Sequence, residues 1–101
     1  MHTDKDALVL VENEGEYSRR VPAGNLTTAI VVENVPTHCG FTQAEMVAGW
    51  ESLRGWVAGA PQPTAASMQL TCQSLPPAFG GPCRIAPAFV IPDMDGRVRP
   101  R

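Results

Sequence analysis

The sequence predicts an α/β fold, and three stretches of the chain carry that prediction. Residues 26–35, LTTAIVVENV, are apolar and β-branched around a centre at residues 27–32, which is typical of a strand covered on both faces in a parallel sheet. A short helix is expected before this strand at residues 12–21, and a longer one after it at about residues 43–58. Because one central strand and two helices do not make a doubly covered sheet, the sequence predicts a segment of a larger α/β fold.

The first helix is predicted from its charges. Glutamates stand at its beginning and Arg19 and Arg20 at its end, which suits the helix dipole. Pro22 and Gly24 then supply a stop and a turn. The apolar run at residues 7–11, ALVLV, directly precedes this helix and is a partial candidate for a second strand.

The second helix has the clearest local signal in the chain. Thr42 is the expected N-cap, and Glu45 three residues later completes a T-x-x-E capping box. Gly59 marks the expected end. Apolar side chains recur at helical spacing and predict a single apolar face, made of Met46, Trp50, Leu53 and Val57. We interpret Trp50 and Trp56 as packing groups.

The C-terminal part of the chain is rich in proline. Residues 61–101 carry eight of the ten prolines, and only residues 64–72, TAASMQLTC, offer a helical turn or two. The remainder is expected to be extended and to lie on another surface, because it is too apolar to be left in water. We therefore predict a strand-and-helix portion at residues 1–60 and a long proline-rich tail at residues 61–101 that packs on it.

Composition and charge exclude several classes of protein. A chain of 101 residues with a formal net charge of −2 lacks the basic face typical of nucleic-acid binders. No apolar run approaches the roughly 20 residues of a membrane-spanning helix. The sequence therefore predicts neither a nucleic acid nor a membrane as a partner.

Metal and cofactor motifs are also missing. The side chains that could offer nitrogen and oxygen ligands are His2, Asp4, Asp6 and His38. They lack the helical spacing of a zinc motif, and the DMDG stretch at residues 93–96 lacks the remaining ligands of a calcium loop. We predict no metal and no cofactor.

The three cysteines bear on the compartment. Cys72 and Cys83 flank a loop rich in proline and glycine, which a disulfide could close. Such a bond belongs in an oxidising compartment, whereas residues 1–16 lack the layout of a signal peptide. Cys39 is left over as an odd cysteine. These observations fit a true N-terminus upstream and a full-length form that is secreted or periplasmic, while the chain alone leaves its localisation open.

Long stretches of the chain resemble bacterial α/β-hydrolases of the esterase type. MHTDKDALVLVENEGEY is similar to their acid loop, where an apolar strand ends in a histidine-threonine pair. THCGFTQAEMVAGWESLRGWVAGAPQPTA resembles their histidine loop and final helix, and GPCRIAPAFVIPDMDGRVRPR resembles their C-terminal tail. The resemblance implies the C-terminal portion of a hydrolase sheet, with one or two strands and two main helices. In it Asp6, rather than Asp4, is the triad acid and His38 is the base.

The pair His38–Cys39 is also similar to the tannase and feruloyl esterase group. There the cysteine after the histidine is disulfide-linked to a cysteine before the nucleophilic serine, which implies an upstream partner for Cys39. Plainer interpretations stay open for each residue. His38 could be a loop histidine that hydrogen-bonds near a helix start, Asp6 a turn aspartate, and Cys39 a small buried hydrophobe.

The nucleophile is the missing part of the motif. No G-x-S-x-G and no Cys-Ser pair occurs, and none of the serines, Ser18, Ser52, Ser67 and Ser74, stands in a strand-to-helix elbow. We therefore expect a chain that supplies the acid and base of a serine esterase acting on an ester substrate, and that is inactive alone. The alternative is a small non-catalytic interaction module, dimeric or bound to a partner, with an inherited hydrolase sequence.

Overall fold

The computed structural model describes residues 1–94, and the predicted tail beyond residue 94 lies outside the described residues. The elements in chain order are strand β1 (His2–Thr3), helix α1 (Glu12–Arg20), strand β2 (Ile30–Val31), helix α2 (Gln43–Val57) and helix α3 (Ala65–Ser74). Short 3-10 turns occupy Ala23–Asn25 and Pro77–Phe79.

The two strands form a small parallel sheet. His2 lies opposite Ile30, and Thr3 lies opposite Val31. On its other side β2 receives a single antiparallel bridge from Ile85, so β2 lies in the middle. Helices combined with a parallel sheet confirm the α/β class at this coarse level. The regular part of β2 is shorter than the predicted strand, although Ala29, Ile30 and Val31 are all buried as expected.

The apolar run at residues 7–11 is not a strand, which corrects the second-strand candidate. Oδ1 of Asp6 accepts hydrogen bonds from the backbone N–H groups of Leu8 at 2.8 Å and Val9 at 3.0 Å. These bonds fold the chain into a turn, because an aspartate side chain competes with regular structure for nearby backbone donors. The strand that pairs with β2 lies earlier, at His2–Thr3.

Helices α1 and α2 begin and end close to the predicted positions. α1 carries Glu12 and Glu14 in its first turn and arginines in its last turn. At α2 both bonds of the predicted capping box are formed. The backbone N–H of Glu45 donates to Oγ1 of Thr42 at 3.2 Å, and the N–H of Thr42 donates to Oε2 of Glu45 at 2.8 Å. Local side-chain chemistry therefore determines where these helices start.

The proline-rich part contains more regular structure than predicted. Instead of a turn or two it holds α3, ten residues long, with its own capping box between Thr64 and Ser67. The predicted disulfide between Cys72 and Cys83 is present, with the two Cα atoms 5.9 Å apart. It links α3 to the segment that brings Ile85 onto β2.

The apolar face of α2 points away from the fold, which corrects the interpretation of its large side chains as packing groups. The exposed fractions of Met46, Trp50 and Leu53 are 53%, 63% and 48%. The opposite face buries Ala44 and Ala48 in a cluster with Cys72 of α3. Small side chains let two helices approach closely, so the packed face of α2 is the face with the smallest residues.

A second buried cluster joins the sheet to α3. It consists of Ala29, Val31, Met68 and Ile85. Within residues 1–94, no helix is both long enough and apolar enough to cross a membrane.

Candidate active site

His38 and Asp6, the predicted base and acid, lie in direct contact. Nδ1 of His38 is 2.7 Å from Oδ2 of Asp6, although the residues are 32 positions apart. Asp6 lies in the turn after β1 and His38 in the loop after β2. Because β1 and β2 are parallel, both residues follow the same edge of the sheet. This edge, at the carboxyl ends of the strands, is where α/β folds place their functional groups.

Asp6 is held in place and kept ionised by its surroundings. The backbone N–H groups of Val9 and Leu8 both donate to its carboxylate, and His38 contacts the other oxygen. The hydrogen bond from Val9 is the largest influence, and it and the other bonds outweigh burial, so the pKa of Asp6 is lowered to about 2. An ionised carboxylate only accepts hydrogen bonds, so Nδ1–H of His38 is the donor.

The imidazole is therefore oriented with Nε2 available for another partner. The side chain of His38 is 47% exposed, whereas that of Asp6 is only 5% exposed. In the neutral ring Nε2 is the hydrogen-bond acceptor once Nδ1 carries the proton. A buried, anionic carboxylate behind a half-exposed histidine is the arrangement of a general base with its orienting acid.

Asp4, the competing acid, has a different partner. Its Oδ1 accepts a hydrogen bond of 2.7 Å from the backbone N–H of Glu33, and its own N–H donates to the carbonyl of Val31. Asp4 thus ties the end of β1 to the end of β2, while Asp6 reaches His38. Of the two aspartates, Asp6 is the one in contact with the imidazole.

The loop that carries His38, residues 34–41, is fastened from beneath by Glu33. The Glu33 side chain is buried at 2% exposure, and its Oε1 accepts a hydrogen bond from the hydroxyl of Thr37. A Cβ atom built on Gly40 would overlap both that carboxylate and the Thr37 hydroxyl. Gly40 is therefore required for the loop to lie this close to Glu33.

A buried ion pair holds the same loop from the other side. Nη2 of Arg84 donates to the carbonyl of Gly40 at 2.7 Å and to Oε2 of Glu45 at 2.9 Å. Burial alone would raise the pKa of Glu45, but the hydrogen bonds from Arg84 and the Thr42 backbone lower it below its ordinary value. The hydrogen bond with Glu45 in turn raises the pKa of Arg84.

Sequence reasoning missed this supporting shell of Glu33, Glu45 and Arg84. Glu45 was recognised only as a capping residue, and it also accepts the backbone N–H of Arg84 at 2.7 Å. The one available signal was the acidic Glu33 directly after an apolar strand. Such a residue is costly to bury unless it is hydrogen-bonded, so its position indicated a partner nearby.

Cys39 lies beside the imidazole as a free, exposed thiol. Its Sγ is 3.6 Å from Nε2 of His38. Its φ of +54° is the only positive value at a non-glycine residue within residues 1–94, which places the residue in the left-handed region. The upstream disulfide partner implied by the tannase resemblance stays a prediction.

Two connected hollows adjoin the dyad. The smaller, about 130 Å³, is lined by Met1, His2, Thr3, Asp6, Val9, His38, Cys39 and Phe41. The larger, a groove of about 490 Å³, shares Met1 and Phe41 with it and continues along the exposed face of α2 to Trp50 and Trp56. Neither lining contains a serine.

Three of the four serines have local structural roles. The hydroxyls of Ser18, Ser67 and Ser74 donate to the backbone carbonyls of Gly15, Thr64 and Thr71 respectively. Each of these bonds joins residues three apart in sequence and belongs to the first or later turns of a helix. The geometry thus provides an acid and a base at one place, with no serine positioned as nucleophile among the described residues.

Comparison of the chain with protein-family models, with curated proteins and with solved structures finds no match in any of the three. The resemblance to α/β-hydrolases therefore enters below as part of a proposal.

Proposed function

We propose that this chain provides the acid and base of a Ser-His-Asp triad in an esterase-type α/β-hydrolase, as the C-terminal portion of that enzyme. The observation that carries the proposal is the 2.7 Å contact between Nδ1 of His38 and the buried Oδ2 of Asp6. The position of both residues after neighbouring parallel strands, in the order acid then histidine, supports it.

In the proposed reaction His38 is the group that moves protons. Its Nε2 accepts the hydroxyl proton of a serine supplied from outside this chain as that oxygen attacks the ester carbonyl. The imidazolium then donates the proton to the departing alcohol, and Nε2 next deprotonates the water that hydrolyses the acyl-enzyme. Asp6 stays ionised throughout and stabilises the imidazolium.

Cys39 has a structural role in this proposal. In agreement with the tannase-like His-Cys pair, its exposed thiol would form a disulfide with a cysteine near the serine. Such a bond would tie the nucleophile to the base across the gap between two parts of the chain.

The test uses the native polypeptide that contains these residues, isolated from its source cells. We expect its mass to exceed the 10.8 kDa of the 101 residues, and we expect a fluorophosphonate probe to label a serine outside them. His38→Gln should abolish labelling and Asp6→Asn should reduce it strongly. A native product of about 11 kDa that the probe does not label would refute the proposal.

A second candidate function, a non-catalytic interaction module, is favoured by a different observation. The outer face of α2 exposes Met46, Trp50, Leu53 and Val57, and such contiguous apolar surface marks interaction sites. Sedimentation of the 101-residue chain distinguishes the candidates. A stable, monodisperse dimer that loses its association in Trp50→Gln would support the module, whereas aggregation or partial unfolding would support the hydrolase portion.

A further inference from the structure

The side chains at the dyad include donors that the proposed triad does not use. Ligand atoms of Asp6, His38 and Cys39 all lie within 4.8 Å of one another and supply an oxygen, a nitrogen and a sulfur. The sequence predicts no metal site because its nitrogen and oxygen ligands share no helical spacing. The tertiary structure adds a thiol to two of them.

The spacing of the outer two donors matches a tetrahedral zinc ion. Zn²⁺ binds histidine nitrogen at about 2.0–2.1 Å and cysteine sulfur at about 2.3 Å. At a tetrahedral angle these lengths place the two donor atoms about 3.5 Å apart. Nε2 of His38 and Sγ of Cys39 are 3.6 Å apart, so a cation can bind both without a movement of the loop.

Asp6 occupies the position of the outer partner in such a site. Metal-bound histidines usually donate their second ring N–H to a carboxylate, which fixes the tautomer and makes the ligand more basic. The Nδ1 of His38 is bonded to Asp6 in this way, and the loop itself is held by Glu33 and Arg84. The donor atoms are thus positioned before any cation arrives.

We propose that His38 Nε2 and Cys39 Sγ bind one Zn²⁺-class cation, with Asp6 as the outer carboxylate and water completing the coordination. The donor set selects a borderline-soft divalent ion over Mg²⁺ or Ca²⁺, which prefer oxygen ligands. The bound cation occupies the Nε2 lone pair. It therefore inhibits the general base, a consequence that rests on the proposed hydrolase function, whereas the cation site itself does not.

The experiment is a Co²⁺ titration of the 101-residue chain with its disulfide intact. Cys72 and Cys83 are paired, so Cys39 is the single thiol, and any thiolate-to-cobalt charge-transfer absorption reports on it alone. We expect this band to saturate at one ion per chain and to disappear when Zn²⁺ is added. Mg²⁺ should leave it unchanged.

Variants separate the three roles. Cys39→Ser should abolish the band and His38→Gln should weaken binding at least as much as any other change. Asp6→Asn, which keeps an oxygen for the backbone donors of the turn, should weaken binding by about 10–100-fold. Glu16→Gln, on the exposed surface of α1, is the control and should leave the affinity unchanged.

Several results would overturn the cation site. These are no thiolate band at one equivalent, a band that survives His38→Gln, or saturation at one ion per two chains, which would mean bridging between molecules. Circular dichroism of each variant separates loss of ligand from loss of fold. Because the readout is absorption rather than hydrolysis, failure of the fluorophosphonate test leaves this result unaffected, and the reverse also holds.

Discussion

The site edge of the sheet and the outer face of α2 are opposites in composition and burial. At the site edge the chain buries polar side chains, among them Asp6, Glu33 and Glu45, and connects them through hydrogen bonds. Along α2 it exposes large apolar side chains such as Trp50. Burial of charge is tolerated only where partners are present, so the site edge is complete within this chain. The α2 face, in contrast, has its apolar surface in water.

This comparison separates two kinds of contribution to stability. The polar network should be sensitive to single substitutions, because each removal leaves a buried group without its partner. The apolar face should be insensitive, because its side chains lose little contact when they are replaced. The predictions below test this contrast, beginning with the largest expected effect.

Arg84→Ala should destabilise the chain most. It removes the partner of Glu45, whose side chain is completely buried, and it also removes the bond to the carbonyl of Gly40. Breaking a buried pair on one side costs about 3–5 kcal/mol, and the partial exposure of Arg84 places the expected loss near the lower end, about 3 kcal/mol. Urea unfolding measures it.

The matched control for that substitution is Arg54→Ala. Arg54 pairs with Glu51 on the surface of α2, with side-chain exposures of 66% and 39%. Exposed pairs contribute about 0–1 kcal/mol. Equal effects of the two substitutions would contradict the distinction between buried and exposed charge.

Gly40→Ala should come next. The new Cβ would overlap the carboxylate of Glu33 and the hydroxyl of Thr37, and the loop that carries His38 would have to move. Overpacking of this kind costs about 1–3 kcal/mol. We expect the free energy of unfolding to fall and the cobalt affinity to fall with it. Gly24→Ala, where the added Cβ meets nothing within 4 Å, is the control and should change neither quantity.

Acid should remove the contribution of Asp6 over a defined range. The folded-state pKa of about 2 lies below the ordinary 3.8, so the carboxylate contributes its full stability above about pH 4. That contribution is lost progressively as the pH falls toward 2. In Asp6→Asn the free energy of unfolding should therefore depend less on pH between 4 and 2, as followed by circular dichroism in urea. An unchanged pH dependence would show that Asp6 gains nothing from its hydrogen bonds.

Trp50→Gln should have the smallest effect on stability. With its side chain 63% exposed, the change in the free energy of unfolding should stay within about 0.5 kcal/mol. Sedimentation should nevertheless show weaker self-association, because apolar surface is removed. A loss of more than about 2 kcal/mol would mean that the face is covered within the folded chain, and the comparison would fail.

Much of the fold followed from local patterns. Thr42 and Glu45 predicted the start of α2, and the charges of Arg19 and Arg20 predicted the end of α1, because capping and dipole effects act within one turn. The run at residues 7–11 misled, since apolar composition alone does not distinguish a strand from an exposed turn. The side chain of Asp6 bonds the backbone there and decides for the turn.

The candidate site divides in the same way. Asp6 and His38 were predicted as a pair from the resemblance, while Glu33 and Arg84, which position the loop between them, were not. A buried ion pair between α2 and the segment after the disulfide joins residues 39 positions apart, and no local pattern records such a contact.

The sequence by itself determined the helix starts, the disulfide between Cys72 and Cys83, and the residue types of an acid–histidine–thiol cluster. These depend on neighbours along the chain or on composition. Only the tertiary structure decided which aspartate meets the imidazole, which face of α2 is buried, and that the thiol of Cys39 lies beside Nε2 of His38. The physical reason is that close packing selects the face with small side chains, and parallel pairing of β1 and β2 brings two distant turns to one edge.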